Sequence, residues 1–117
     1  MLAFTGEIRE RMHEHNDKKY IRVYVPPKVA EYITSIEKKN VYKLSKDAFV
    51  YQDFFQDTLV VKVPFRYRRV MWPVTGAKPV QSLEVGDKVD VEITYTGVWT
   101  AGNYTGHSWK IKNIHTY

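Results

Sequence analysis

The chemistry legible in this sequence is that of cations set beside aromatic rings. From Leu59 to Trp72 the chain reads LVVKVPFRYRRVMW, with Lys62, Arg66, Arg68 and Arg69 among Phe65, Tyr67 and Trp72, and no acid. Ammonium and guanidinium groups pair with phosphates, and an aromatic face stacks on any base. Interleaved, the two suit a single-stranded nucleic acid. A second such group is Tyr20, Arg22 and Tyr24, on one face of YIRVYV. A third is Trp99, Tyr104, Lys110 and Lys112 near the end of the chain. Each group also has a structural reading, as a solvated charged strand face or as cross-strand aromatic packing. One small domain cannot expose all these rings, so some must be core.

Catalytic constellations are scarce, and no enzyme is expected. His13 and His15 flank Glu14 in a polar run that reads as a solvated turn, not as a metal site. His107 and His115 have no acid nearby in sequence and read as phosphate contacts or surface residues sooner than as general bases. Asp87 and Asp90 straddle a turn, a pair that a Mg²⁺-dependent nuclease could use but that is ordinary strand surface. No phosphate-cradling glycine loop, nucleophile elbow or zincin motif occurs. No catalytic residue, metal ligand or cofactor is assigned. The absence of cysteine excludes disulfides, zinc–thiolate sites and thiol nucleophiles, and fits an intracellular (cytoplasmic) protein.

The totals agree with a polyanion partner. The 117 residues suit one domain, 1–117, and with 44% hydrophobic and 26% charged residues it should fold. The net charge is +5, unevenly spread. Residues 58–82 hold five bases and no acid, and residues 94–117 hold Lys110 and Lys112, again without an acid. The four acids of the second half, Glu84, Asp87, Asp90 and Glu92, lie between them. Two basic, aromatic segments around an acidic one suggest two lips of a site and a separate solvated face. No apolar run is long enough to span a membrane and no signal-peptide pattern opens the chain, so no membrane association is expected.

The elements that must position these residues are mostly strands. A first strand is expected over about 3–12, with Gly6 a candidate bulge, and His13–Lys19 as a hairpin loop. In the second strand Ile21, Val23 and Val25 face inward, opposite Tyr20, Arg22 and Tyr24. Pro26-Pro27 ends it and opens a helix at about 27–39, with an apolar stripe of Val29, Ile33 and Ile36 and a C-cap at Asn40; Glu31 and Glu37 are read as lying off that stripe. VYKL reads as a short strand, and 43–57 fits either helix or strand. The basic stretch puts Leu59, Val61, Val63, Phe65 and Tyr67 inside and Lys62, Arg66 and Arg68 outside, with Pro64 marking an edge, a bulge or two separate strands. Gly86-Asp87 makes a turn into a strand with Val89, Val91, Ile93 and Tyr95 inward. Thr100–His107 is the loop of a closing hairpin whose Trp109 and Ile111 are inside. Five or six strands and one or two helices give a mainly β chain, and short antiparallel strands in this number close into a small barrel.

The phrase LEVGDKVDVEI at Leu83–Ile93 resembles the lead-in to a late strand of OB-fold domains. With the basic aromatic middle strand, residues 58–117 resemble a small single-stranded-DNA-binding protein of that fold. The resemblance implies an OB-like barrel and non-enzymatic binding of single strands, DNA before RNA, with little sequence preference. One departure is that the helix follows the second strand, not the third. YVPPKVAEYI also resembles, over a short span, the strand–Pro–helix hairpin of swapped-hairpin transcription factors. Two other readings stay open. One is a protein–protein adaptor or viral-type structural subunit using an aromatic sheet edge with Phe54 and Phe55, through which a homo-oligomer could form. The other is a duplex DNA-binding regulator with a basic β-ribbon in a groove.

Overall fold

In the computed structural model residues 2–15, 17–66, 69–70 and 74–117 are described, with the backbone alone for 65, 66, 69 and 70. Five strands form a closed ring: β1 (Leu2–His15), β2 (Lys18–Tyr24), β5 (Thr58–Val63), β10 (Tyr104–Thr116) and β9 (Lys88–Ala101), which returns to β1. Four of the five pairings are antiparallel. The fifth, which closes the ring, is a single parallel step between Lys62 of β5 and Lys110 of β10. The chain is therefore mainly β with one α-helix among the described residues, and the pairing is mixed where an all-antiparallel arrangement was expected. A closed ring with an odd number of strands cannot alternate direction all the way round, so one of its five pairings must be parallel.

Alternation decides which face is inside. Ile21 and Val23 of β2, Leu59, Val61 and Val63 of β5, Val89, Val91 and Ile93 of β9, and Trp109, Ile111 and Ile114 of β10 make one core with Ile8. The step from Ile111 to Ile114 spans a register shift between Ile111 and Asn113. Helix α1 (Pro27–Lys39) has the expected bounds, with Pro27 in its first turn and Asn40 as C-cap. Ile33 is fully buried, and Val29 and Ile36 pack beside it. Glu37, four residues after Ile33, shares that face instead of pointing away, and its carboxylate accepts a hydrogen bond from Trp109 Nε1 at 2.8 Å.

Several local expectations are corrected. Gly6 is no bulge: β1 pairs with β9 without interruption from Leu2 to Glu7. A Cβ there would lie 2.5 Å from Val23 Cγ2 and 2.7 Å from the Tyr24 carbonyl, so the glycine permits close approach to β2. The loops of both hairpins are short. His13–His15 and Lys18–Lys19 belong to strands, with the turn at Asp17 (φ 64°), and the last hairpin turns at Gly102-Asn103. VYKL is not a strand; Val41–Lys43 is a 3₁₀ turn. The following strap holds two short strands, β3 (Phe49–Val50), parallel to β10, and β4 (Phe54–Phe55), antiparallel to β5.

Pro64 separates two strands. β5 ends before it, and β6 (Phe65–Arg66) forms a small hairpin with β7 (Arg69–Val70). β5 is an interior strand between β2 and β10, not an edge. Residues Val74–Gly76 form β8, parallel to the end of β10.

Candidate binding cleft

β1 and β9 run antiparallel and part in opposite directions, β1 after Glu7 and β9 after Ile93. β1 continues along β2 and β9 along β10, as two long hairpins. Their facing sides, the outward face of β2 and β5, and the strap residues Tyr51 and Asp53 enclose a cleft of about 1060 Å³.

The wall from β1 and β2 is ionic. Glu10, His13, Glu14, His15, Lys18, Tyr20 and Arg22 line it. Arg22 Nε lies 2.8 Å from Glu10 Oε2, and Lys19 Nζ lies 2.8 Å from Glu14 Oε1. His13 Nδ1 is 3.1 Å from Glu10 Oε1, and its ring stacks on Tyr20 at 6.0 Å. Arg22 also donates to the Tyr51 hydroxyl at 3.1 Å and so ties the strap to β2. Burial first, and then the Tyr51 hydroxyl nearby, raise the Tyr20 phenol above its ordinary value. The cleft is thus less purely cationic than the count of bases implied, because Glu10 and Glu14 stand among its cations.

The wall from β9 and β10 is aromatic. Trp99 and Tyr104 line it, and the Tyr51 ring sits 6.0 Å from Trp99 at a 53° tilt. Trp99 is opposite Gly106, where a Cβ would come within 3.0 Å of the indole. The glycine lets the ring lie flat on β10, where its Nε1 donates to the His107 carbonyl at 3.1 Å. Thr105 Oγ1 donates to the Trp99 carbonyl at 2.8 Å and bonds Thr100 Oγ1 at 3.1 Å, which stiffens this wall without ions.

The floor carries a buried polar group. Asp53 is 6% exposed, and its Oδ2 has no donor partner among the described residues. Its side-chain neighbour is the carboxyl of Glu37, itself bonded to Trp109. A proton on Asp53 resolves this, since its O–H then donates to Glu37. Burial chiefly, and then the Glu37 carboxyl, push Asp53 up to about 9, against hydrogen bonds from the backbone of Asp53 and His107. His107 Nδ1 is 2.7 Å from the Tyr95 hydroxyl on the same floor.

The structure brings together only some of the residues singled out in the sequence. Tyr20, Arg22, Lys62, Trp99 and Tyr104 line the cleft. Tyr24 does not; its ring lies under the Arg9 guanidinium at 5.1 Å. Lys110 and Lys112 are half-buried on the outer face of β10 and are not part of the lining. Tyr67, Arg68 and Trp72 lie outside the described residues, as do the side chains of Arg66 and Arg69. His13, His15, Tyr51, Asp53 and His107 also line the cleft. Both histidines of the first pair had been assigned to a loop, and Tyr51 and Asp53 fell in the least periodic part of the chain.

A shallower depression of about 490 Å³ lies across Phe4, Asp90, Glu92 and His115. Its polar groups already bond one another: Thr5 and Tyr117 donate to Asp90, Asn113 to Glu92, and Thr75 meets His115. Asp87 is held by Lys78 and the Glu84 amide, so the two aspartates have separate partners. No group of three metal-ligating side chains occurs among the described residues, and no helix there is long and apolar enough to cross a membrane. Compared with protein-family models, curated proteins and solved structures, the chain matches none.

Proposed function

We propose that this chain is a non-enzymatic binder of single-stranded nucleic acid, DNA before RNA, built as an OB-like barrel. The observation that carries the reading is the cleft itself, which sets the rings of Tyr20, Tyr51, Trp99 and Tyr104 around Arg22 and Lys62. Bases stack on the rings, and the phosphates meet the cations in exchange for Glu10 and Glu14. OB folds bind oligonucleotides across their second and third strands, between the loops joining strands 1–2 and 4–5. In ring order these are β2 and β5, the turn at Asp17 and the turn at Gly102-Asn103, the same surroundings as the cleft. The helix after the second ring strand departs from that pattern, and its Ile33 and Glu37 serve as a plug for the core and the cleft floor. Little sequence preference is expected, because stacking accepts any base.

The test is a titration of the intrinsic tryptophan fluorescence with single-stranded DNA, matched RNA and duplex, each at two salt concentrations. Quenching by single strands that weakens with salt is the expected result. An unquenched signal at low salt removes the reading, and preference for duplex replaces it with groove recognition. A protein–protein adaptor is the second reading. It rests on Phe55, 58% exposed on the edge strand β4, and an interface of that kind would persist at high salt.

A further inference from the structure

We infer that the single strand does not end at the mouth of the cleft but continues over the tip of the last hairpin, onto a stacking platform formed by Phe49 and Tyr104. This rests on the nucleic-acid reading above and extends the reach of the same site. Tyr104 belongs to the cleft lining and also faces outward, so it joins the two surfaces. It is the register partner of Phe49 across the parallel β3–β10 pair, and their rings stand 6.1 Å apart at a 47° tilt. Phe49 is 72% exposed and Tyr104 53%. Neither belongs to the core, so folding alone does not account for two large rings held side by side in water.

The strap supplies direction. Phe49 and Tyr51 are two residues apart in extended chain, which puts them on one side about 7 Å apart at a rise of ~3.3 Å per residue. The Tyr51 amide donates to the Thr105 carbonyl and the Phe49 amide to the Asn103 carbonyl, which fixes both to the hairpin. Ring pairs therefore follow one another from His13–Tyr20 through Tyr51–Trp99 to Phe49–Tyr104. An extended strand can match such steps with successive bases.

The surroundings favour a nucleic acid over a protein as occupant. Ser45 N donates to Thr105 Oγ1 at 3.3 Å, which brings the start of the strap against the same hairpin. Lys43 and Lys46, both exposed, lie in that segment, and Lys43 Nζ sits 5.7 Å over the Tyr42 ring, with Asp47 the one acid among them. Lysine is depleted at the centre of protein interfaces, whereas cations interleaved with rings are what a single strand uses.

The experiment titrates the full chain and Phe49→Ala with oligothymidylates of about 4 to about 16 nucleotides, a span typical of one such fold. Sedimentation of both proteins runs in parallel. The expected result is unchanged affinity of Phe49→Ala for the shortest oligomer and about 5- to 150-fold weaker binding of the longest, the equivalent of ~1–3 kcal/mol for one lost stack. Phe49→Trp should restore the long-oligomer affinity and add quenching that only long oligomers produce. Equal affinities of wild type and Phe49→Ala at every length overturn the extension and leave the cleft reading intact. So does an equal loss at every length, which would put Phe49 inside the cleft's own work. A dimer that Phe49→Ala dissolves, with oligonucleotide binding unchanged, overturns the extension and assigns the platform to a second copy. Failure of the wild type to bind any length overturns the underlying reading.

Discussion

The two walls of the cleft are both long β-hairpins, yet they are held in different ways. The β1–β2 wall pairs Glu10 with Arg22 and Glu14 with Lys19 in ion pairs of 2.8 Å, and His13 Nδ1 lies 3.1 Å from Glu10. The β9–β10 wall has no ion pair among the described residues near its tip, and is held by Thr105, Gly106 and the Trp99 ring. Half-exposed ion pairs contribute little to stability because water and salt screen them, but they set charge and can be exchanged. Stacked rings and hydroxyl bonds are insensitive to salt and hold a shape. On the proposed reading, one wall would meet phosphates and the other receive bases.

The largest expected effect tests whether the two walls share one foundation. Ile93 is fully buried where β9 pairs with both β1 (Leu2) and β10 (Ile111). Ile93→Ala should cost about 2–5 kcal/mol of stability by chemical denaturation and loosen both walls together. A cost well under 1 kcal/mol would mean that the core does not join them.

Next comes the division of labour. Trp99→Ala should lose about 1–3 kcal/mol of oligonucleotide affinity with its salt slope unchanged, because a stack is lost and no phosphate contact. Tyr24→Ala, outside the cleft, should leave affinity as it is. A change in slope for Trp99→Ala, or an equal loss for Tyr24→Ala, would break the distinction between the walls.

A smaller change sharpens it from the ionic side. Glu10→Gln removes the acid beside Arg22 and His13, so binding should tighten, and the salt slope should steepen by about one phosphate contact. The stability change should stay within about 0.2–1 kcal/mol. Unaltered affinity and slope would show that Arg22 does not meet phosphate.

A pH-dependent effect lies beneath both walls. Asp53 holds its proton in the folded chain up to about 9, against an ordinary value of 3.8. Below the lower value both folded and unfolded chains carry the proton, and above the higher one neither does. In between the folded chain alone binds it, so this group's contribution to stability falls as pH rises through that window. Asp53→Asn should be nearly neutral at low pH and should flatten the decline of melting temperature between pH 5 and 9. An identical decline in both proteins would mean that Asp53 is charged in the fold.

Whatever depends on near neighbours in the chain was legible in the sequence. Period-2 alternation put Ile21, Val23, Leu59, Val61, Val91, Ile93, Trp109 and Ile111 inside, because a strand turns each successive side chain to the opposite face. Pro26-Pro27 and Asn40 bounded the helix, because a ring-locked φ and a capping side chain act within one turn. Tertiary structure alone decided the rest. The polar ends of the hairpins read as loops, since their residues show no apolar alternation, although Thr105 and His107 of the last one are buried. The strap from Phe49 to Phe55 takes its form from backbone bonds to Asn103, Thr105 and Val60, which no local pattern announces. Glu37 meets Trp109 across 72 residues, and Asp53 keeps its proton because burial and Glu37 surround it. The cleft exists only once the ring closes, because its two walls come from opposite ends of the chain.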